Sequence, residues 1–197
     1  MPRPSQIDQQ RKRLLPIVCQ VFNQLGYQRT TTAELAQRCK VRENILYRLW
    51  RDKKAMFLAA TDDIFQRRAE RWEQILAERP APEQATEAMV AYEAKHQGDF
   101  GFYRVVFTAL VEADDPEICK AIAGMYRHFH ERICKLIETN RDGDTSPAAL
   151  PADATAWAMI GVATVSNIIR KLELLRPRQR EEMFARTAKY LVRGDSR

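Results

Sequence analysis

Apolar side chains recur at helical spacing along almost the whole of this chain, and that regularity constrains its fold more than any other feature. Ile118, Ile122, Met125, Phe129, Ile133 and Ile137 step three or four positions at a time, as one face of an α-helix requires. Strands would show period-two alternation in β-branched runs punctuated by glycine. Such runs are scarce here, and only 7 of the 197 residues are Gly. With no internal repeat and no low-complexity tract, the expectation is an all-α fold.

Caps and breakers divide the pattern into helices. A first helix is expected from near Ser5 to Leu25, with Gly26 as its stop and Pro16 an awkward interior residue. Thr31-Thr32-Ala33-Glu34 fits a capping box, in which the Thr31 hydroxyl and the Glu34 carboxylate each satisfy a backbone amide. That short second helix ends around Cys39, and a turn at Lys40-Val41 leads to a third helix from about Arg42 to Trp50. Asp52 can cap a fourth, from Lys53 to as far as Arg79. Beyond Pro80 and Pro82, helices are expected at 83–98, 101–113, 116–140, 153–175 and 177–192, with Asp115-Pro116 as cap and first residue of one. Arg141–Pro151, rich in Asp, Gly, Ser and Pro, is the clear loop.

Charge is distributed unevenly. The net value is +6, yet residues 1–54 hold twelve Lys and Arg against four Asp and Glu, and the remainder is slightly acidic. A basic block of that kind is the electrostatic footprint of a module that meets phosphates. It also contains two short helices joined by a tight turn, the pattern of a helix-turn-helix. Projected at 100° per residue, the third helix places Val41, Ile45, Leu46, Leu49 and Trp50 on one half of the wheel. Glu43, Asn44, Tyr47 and Arg48 occupy the other half. Arg42, Glu43, Asn44 and Arg48 are side chains able to read base edges: Arg pairs with guanine, Asn with adenine, and Glu accepts from cytosine. Thr31, Thr32, Tyr47 and Lys53 suit phosphate contacts. Arg3, Arg11, Lys12 and Arg13 form either a further basic patch or a solvated face.

Taken together, Gly26-Tyr27, Thr30 to Ala36, Val41, Leu46-Tyr47, Trp50 and Lys53 resemble the N-terminal signature of the TetR family of transcriptional repressors. Two positions depart from it: Lys40 stands where the family often has Gly, and Arg42 where a Ser commonly opens the recognition helix. The resemblance implies a helix-turn-helix domain over residues 1–52 and an effector-binding and dimerisation domain over 53–197, joined by a linking helix from about 53 to 79. It also implies a homodimeric repressor that a small-molecule effector releases from a palindromic double-stranded operator.

The residues after 53 give partial support. Ala154, Trp157, Ala158, Gly161, Val165 and Ile168 form a stripe with small side chains at close intervals, and Phe184, Ala188 and Leu191 recur on the last helix. Either a dimer seam (Trp157, Ala158, Gly161, Val165, Ile168, Phe184, Ala188 and Leu191) or ordinary intrachain core fits that pattern. Tyr92, Tyr103, Phe107, Phe129 and Trp157 are the expected wall of an effector site, though aromatics at helical spacing also make plain core.

Other chemistry finds little footing. There is no Gly-rich phosphate loop, no G-x-S-x-G and no catalytic carboxylate pair, so no enzymatic activity and no cofactor are expected. His130 and Cys134 share a helix face, but two ligands do not make a metal site, and none is expected. Four cysteines without a C-x-x-C pair read as reduced thiols, and Cys19 or Cys39 as redox sensors lack a resolving partner. No apolar run approaches the ~20 residues of a membrane span, and the start lacks a signal-peptide core, so a cytoplasmic protein without a membrane partner is expected. The alternatives left open are a non-specific DNA-binding protein, and a helical small-molecule-binding protein or enzyme with a basic N-terminal segment.

Overall fold

The computed structural model describes residues 5–79, 81–141 and 150–193; Arg3 and most of the expected loop lie outside these. Among the described residues there are nine α-helices and no strand. They are α1 (Gln6–Arg29), α2 (Thr32–Cys39), α3 (Glu43–Leu49), α4 (Lys53–Ala77), α5 (Pro82–Lys95), α6 (Phe102–Val111), α7 (Pro116–Asn140), α8 (Ala152–Lys171) and α9 (Pro177–Arg193), with a single 3-10 turn at Asp99–Gly101. Packing divides the chain into two compact units, residues 1–68 with 100–123, and residues 69–99 with 124–197. That division by packing is distinct from the functional boundary expected at residue 52.

In the first unit, α1 buries Leu14, Val18, Val21 and Phe22. Each such side chain stabilises the fold by roughly 1.5–3 kcal/mol relative to exposure. Phe22 meets Phe57 of α4 edge-on at 5.1 Å, and Tyr27 packs on the same ring at 5.0 Å. Gly26 breaks α1 as expected: at φ 76° and ψ 176° its backbone leaves the helix, and only the short turn 27–29 follows it. Only Gly populates that region at low cost. The Thr30 hydroxyl then donates to the freed Gly26 carbonyl at 2.6 Å.

In the second unit, α9 packs with α5 and α8, and the C-terminal part of α4 meets α5 and α7 through Trp72. Met125, Phe129, Ile133 and Ile137 of α7 are all buried, as their spacing requires. Trp72 lies 4.9 Å from the Phe129 ring and donates its indole N–H to Glu93 at 2.7 Å. That bond gives a buried carboxylate a partner, without which its desolvation would be costly. Arg141 closes the far end, donating to the carbonyls of Leu150, Leu191 and Val192 at 2.6, 2.8 and 3.0 Å. A cation gathering the last carbonyls of α9 is the C-terminal counterpart of a helix cap.

α8 ends at Lys171 rather than near 175, because Glu173 turns the backbone into the left-handed region at φ 54° before Pro177 starts α9. By length and composition α8 is apolar enough to cross a membrane, which qualifies the sequence expectation. Its inward face carries buried Thr155, Ser166 and Asn167, however, and its outward face is apolar.

Candidate nucleic-acid interface

The interface is built on two capped helix starts, one start without a side-chain cap, and one strained turn. Thr31 caps α2 by accepting the Glu34 amide at 3.1 Å. The reciprocal half of the expected box is not used: the Glu34 carboxylate takes Arg38 Nε at 2.9 Å instead. A guanidinium one turn along offers a charge-assisted bond that a backbone amide cannot match. Lys40 closes α2 in the left-handed conformation, φ 55° and ψ 44°, so the geometry usually served by Gly is kept at this turn. Arg42 opens α3 without a side-chain cap bond. Asp52 accepts the Ala55 amide at 2.7 Å at the start of α4, and that bond, with Arg51 beside it, holds its carboxyl below the usual carboxylate range.

α3 then divides its faces. Leu46, Leu49 and Trp50 are buried, Val41 and Ile45 half-buried, and Arg42, Glu43, Asn44, Tyr47 and Arg48 exposed. The exposed side chains are partly organised among themselves. Thr32 donates to Glu43 at 2.7 Å, Tyr47 donates to Thr32 at 3.2 Å, and Arg48 donates to Gln10 at 2.7 Å. Thr32, Glu43 and Tyr47, expected to act separately on phosphate and base, thus form one chain of hydrogen bonds joining α2 to α3. Lys53 is held by the Tyr27 carbonyl at 3.1 Å and over the Tyr27 ring at 4.3 Å. An ammonium has three donors, so this anchoring leaves two for an outside acceptor.

Two contributors escaped the sequence reading. Arg11 donates from Nε and Nη2 to the Leu49 carbonyl at 3.2 and 2.5 Å, capping the C-terminal end of α3 from α1. Its position in a basic run hid this role, since partners 38 positions apart leave no local signal. Lys54 pairs with Asp115 and Glu117 at 2.9 and 3.3 Å, and Arg51 reaches Glu117 at 3.6 Å. The hydrogen bond from Lys54 lowers the Asp115 pKa and raises that of Lys54. Asp115 is therefore more than a cap: it ties the start of α7 to the start of α4.

Residues 19–60 match the model of the tetR family of bacterial regulatory proteins. That segment is thus similar to the N-terminal domain of the tetR family. Across the whole chain the TetR-regulator fold extends into the second unit as well. A TetR-family regulator from Cytophaga hutchinsonii aligns at TM-score 0.81 with 15% identity, covering 98% of each chain. One from Streptomyces coelicolor aligns at 0.80 with 18% identity, over 95% of this chain and 96% of that one. The regulator FadR from Bacillus subtilis, in complex with stearoyl-CoA, aligns at 0.74 with 12% identity, over 93% and 98%. No curated protein matches the chain by sequence.

The remaining TetR-type expectations fall as follows. On α8, Trp157, Gly161, Val165 and Ile168 are exposed and Ala158 is half-buried. On α9, Leu191 is half-buried, and Phe184 and Ala188 take the intrachain-core alternative. They pack with Val90 and Ala94 inside the chain's own core, because an apolar stripe marks a buried face without saying which chain buries it. Of the five aromatics expected around an effector, Tyr103 and Phe107 belong to the first unit, and Tyr92, Phe129 and Trp157 to the second. Trp157 is 46% exposed and stacks on His130. A cavity of about 400 Å³ in the second unit is lined by Glu83, Thr86, Val90, Asn140 and Lys189 among others, and by none of those five. Cys19 is buried, and burial pushes its thiol up to about 12.

Proposed function

We propose that this chain is a sequence-specific DNA-binding transcription regulator of the TetR type, a homodimeric repressor that a small-molecule effector releases from a near-palindromic operator. The observation that carries the reading is α3: a helix buried on one face, presenting Arg42, Glu43, Asn44 and Arg48 on the other, inside the basic quarter of the chain. In this reading those four side chains meet base edges. Thr31, Thr32, Tyr47 and Lys53 hold the phosphates and fix register.

The outward face of α8 supplies the dimer seam. Trp157, Val165 and Ile168 are exposed large apolar side chains on one helix, and Gly161 between them lets a second helix approach closely. To meet successive major grooves, the two recognition helices of such a dimer must lie about 34–36 Å apart, one helical turn of DNA. The Lys54–Asp115 and Arg51–Glu117 pairs support regulation, since any shift of α7 is felt at the start of α4, directly after the reading helix. A similar fold solved with stearoyl-CoA supports a small-molecule effector. The effector acts only through its differential affinity for the binding and released states. Nothing in this role calls for catalysis, and a regulator of DNA works in the cytoplasm.

The test is selection of bound sites from a random duplex pool at physiological salt, with the protein's mass in solution measured alongside. The reading predicts a near-palindrome with half-sites about one turn apart, bound by a dimer. Tight binding without an enriched motif would replace it with a non-specific DNA-binding protein.

A further inference from the structure

His130 and Cys134 lie one turn apart on α7, and the fold brings them a third ligating side chain from 23 positions along, Asp153 in the first turn of α8. The ligand atoms of the three residues all lie within 4.8 Å of one another. His130 Nε2 is 3.3 Å from Asp153 Oδ1 and 3.6 Å from Cys134 Sγ. Around a tetrahedral ion with bonds of 2.0–2.3 Å, ligand atoms sit roughly 3.3–3.8 Å apart, so two of the three edges already have the required length. Asp153, the ligand that must move to close the third, has a side chain 77% exposed and free to turn. The imidazole is held in place by stacking on Trp157, centroid to centroid 4.4 Å at 25°.

From this geometry we infer that His130, Cys134 and Asp153 form a binding site for a late first-row divalent cation of the Zn²⁺ class. The donor set carries the chemical assignment. Imidazole and thiolate select Zn²⁺, Co²⁺ or Ni²⁺ over Mg²⁺ and Ca²⁺, which prefer oxygen alone. Three protein ligands leave one position for water or an outside ligand. Ligation through Nε2 takes the His130 tautomer protonated on Nδ1. It exchanges the 3.1 Å contact of Nε2 with the Asp153 carbonyl for a metal bond. The bound ion clamps the first turn of α8 to α7, directly beside Trp157. His130 and Cys134 alone fall short of a site; the inter-helix partner completes it, and sequence spacing carried no trace of it.

Titration of the full-length reduced protein with Co²⁺ tests the site, because a Co²⁺–thiolate bond produces a charge-transfer band in the near ultraviolet. The expected result is a saturable band with one ion per chain, absent in Cys134→Ser and retained in Cys119→Ser, whose thiol is exposed elsewhere on α7. Asp153→Asn and His130→Ala should weaken binding by more than about tenfold, the least that loss of an outer-shell partner costs. Because Asp153 is exposed, its variant reads affinity without disturbing the fold, and far-ultraviolet circular dichroism verifies folding of the others. Absence of the band in wild-type protein would overturn the inference and leave the cluster as hydrogen bonds joining two helices. So would a band that survives in Cys134→Ser, vanishes in Cys119→Ser, or is unaffected by Asp153→Asn.

Discussion

Replacing Lys40 by Gly should stabilise this protein, against the usual direction of mutation. Lys40 closes α2 at φ 55° and ψ 44°, with its amide satisfied by the Ala36 and Gln37 carbonyls and its side chain in solvent. A left-handed conformation costs an L-residue with a Cβ about 1–2 kcal/mol. Gly escapes that cost but loses about 0.5–1 kcal/mol more chain entropy on folding. The net gain is about 0.5–1 kcal/mol. At about 2–4 °C per kcal/mol for a chain of this size, Tm should rise by roughly 1–4 °C. Thermal unfolding followed by circular dichroism measures it, with Lys40→Ala as the control that removes the charge and keeps the strain. A fall in Tm for Lys40→Gly, or an equal rise for Lys40→Ala, would refute the strain argument.

Asp52→Ala removes the cap of α4 and should cost about 1 kcal/mol in urea-midpoint measurements. Because the folded pKa of Asp52 lies below its ordinary value, its contribution is complete above the ordinary carboxylate range and is lost as pH falls through the folded pKa. Asp52→Asn keeps an acceptor for the Ala55 amide and should flatten that acid-range loss; an unchanged pH profile would contradict the assignment. Arg11→Ala takes the donors from the Leu49 carbonyl at the end of α3. It should cost about 1 kcal/mol and weaken operator binding, whereas a purely solvated Arg11 would leave the urea midpoint unchanged. Val165→Asp places a charge on the outward face of α8, where the side chain is 51% exposed in the single chain. Sedimentation should show a folded monomer, and a retained dimer would move the seam elsewhere.

What could be read in advance was whatever is local. Thr31, Asp52 and Asp115 cap helices because a cap is decided within three residues. The buried stripe of α7 and the two faces of α3 follow from periodicity alone. Lys40 takes the left-handed turn because the chain must reverse there whichever residue stands at the position. What could not be read depends on partners distant in sequence. Arg11 on Leu49, Arg141 on the end of α9, Lys54 on Asp115 and Asp153 beside His130 all join separate helices. Phe184 and Ala188 show the same limit in reverse, since their spacing was as consistent with a partner chain as with the core that buries them. Among the candidate interface residues, exposure on α3 was legible, but the Glu43–Thr32–Tyr47 chain of hydrogen bonds was not.

The central claim is a division of labour on α3 and its flanks, with Asn44 reading bases and Lys53 holding phosphate. The most direct measurement is the salt dependence of affinity for a selected operator and for an unrelated duplex, in wild type, Asn44→Ala and Lys53→Ala. The account predicts that Asn44→Ala loses about 1–3 kcal/mol on the operator alone. It predicts that Lys53→Ala weakens both duplexes alike and reduces the salt slope by about one. Equal losses on both duplexes from both variants would contradict it.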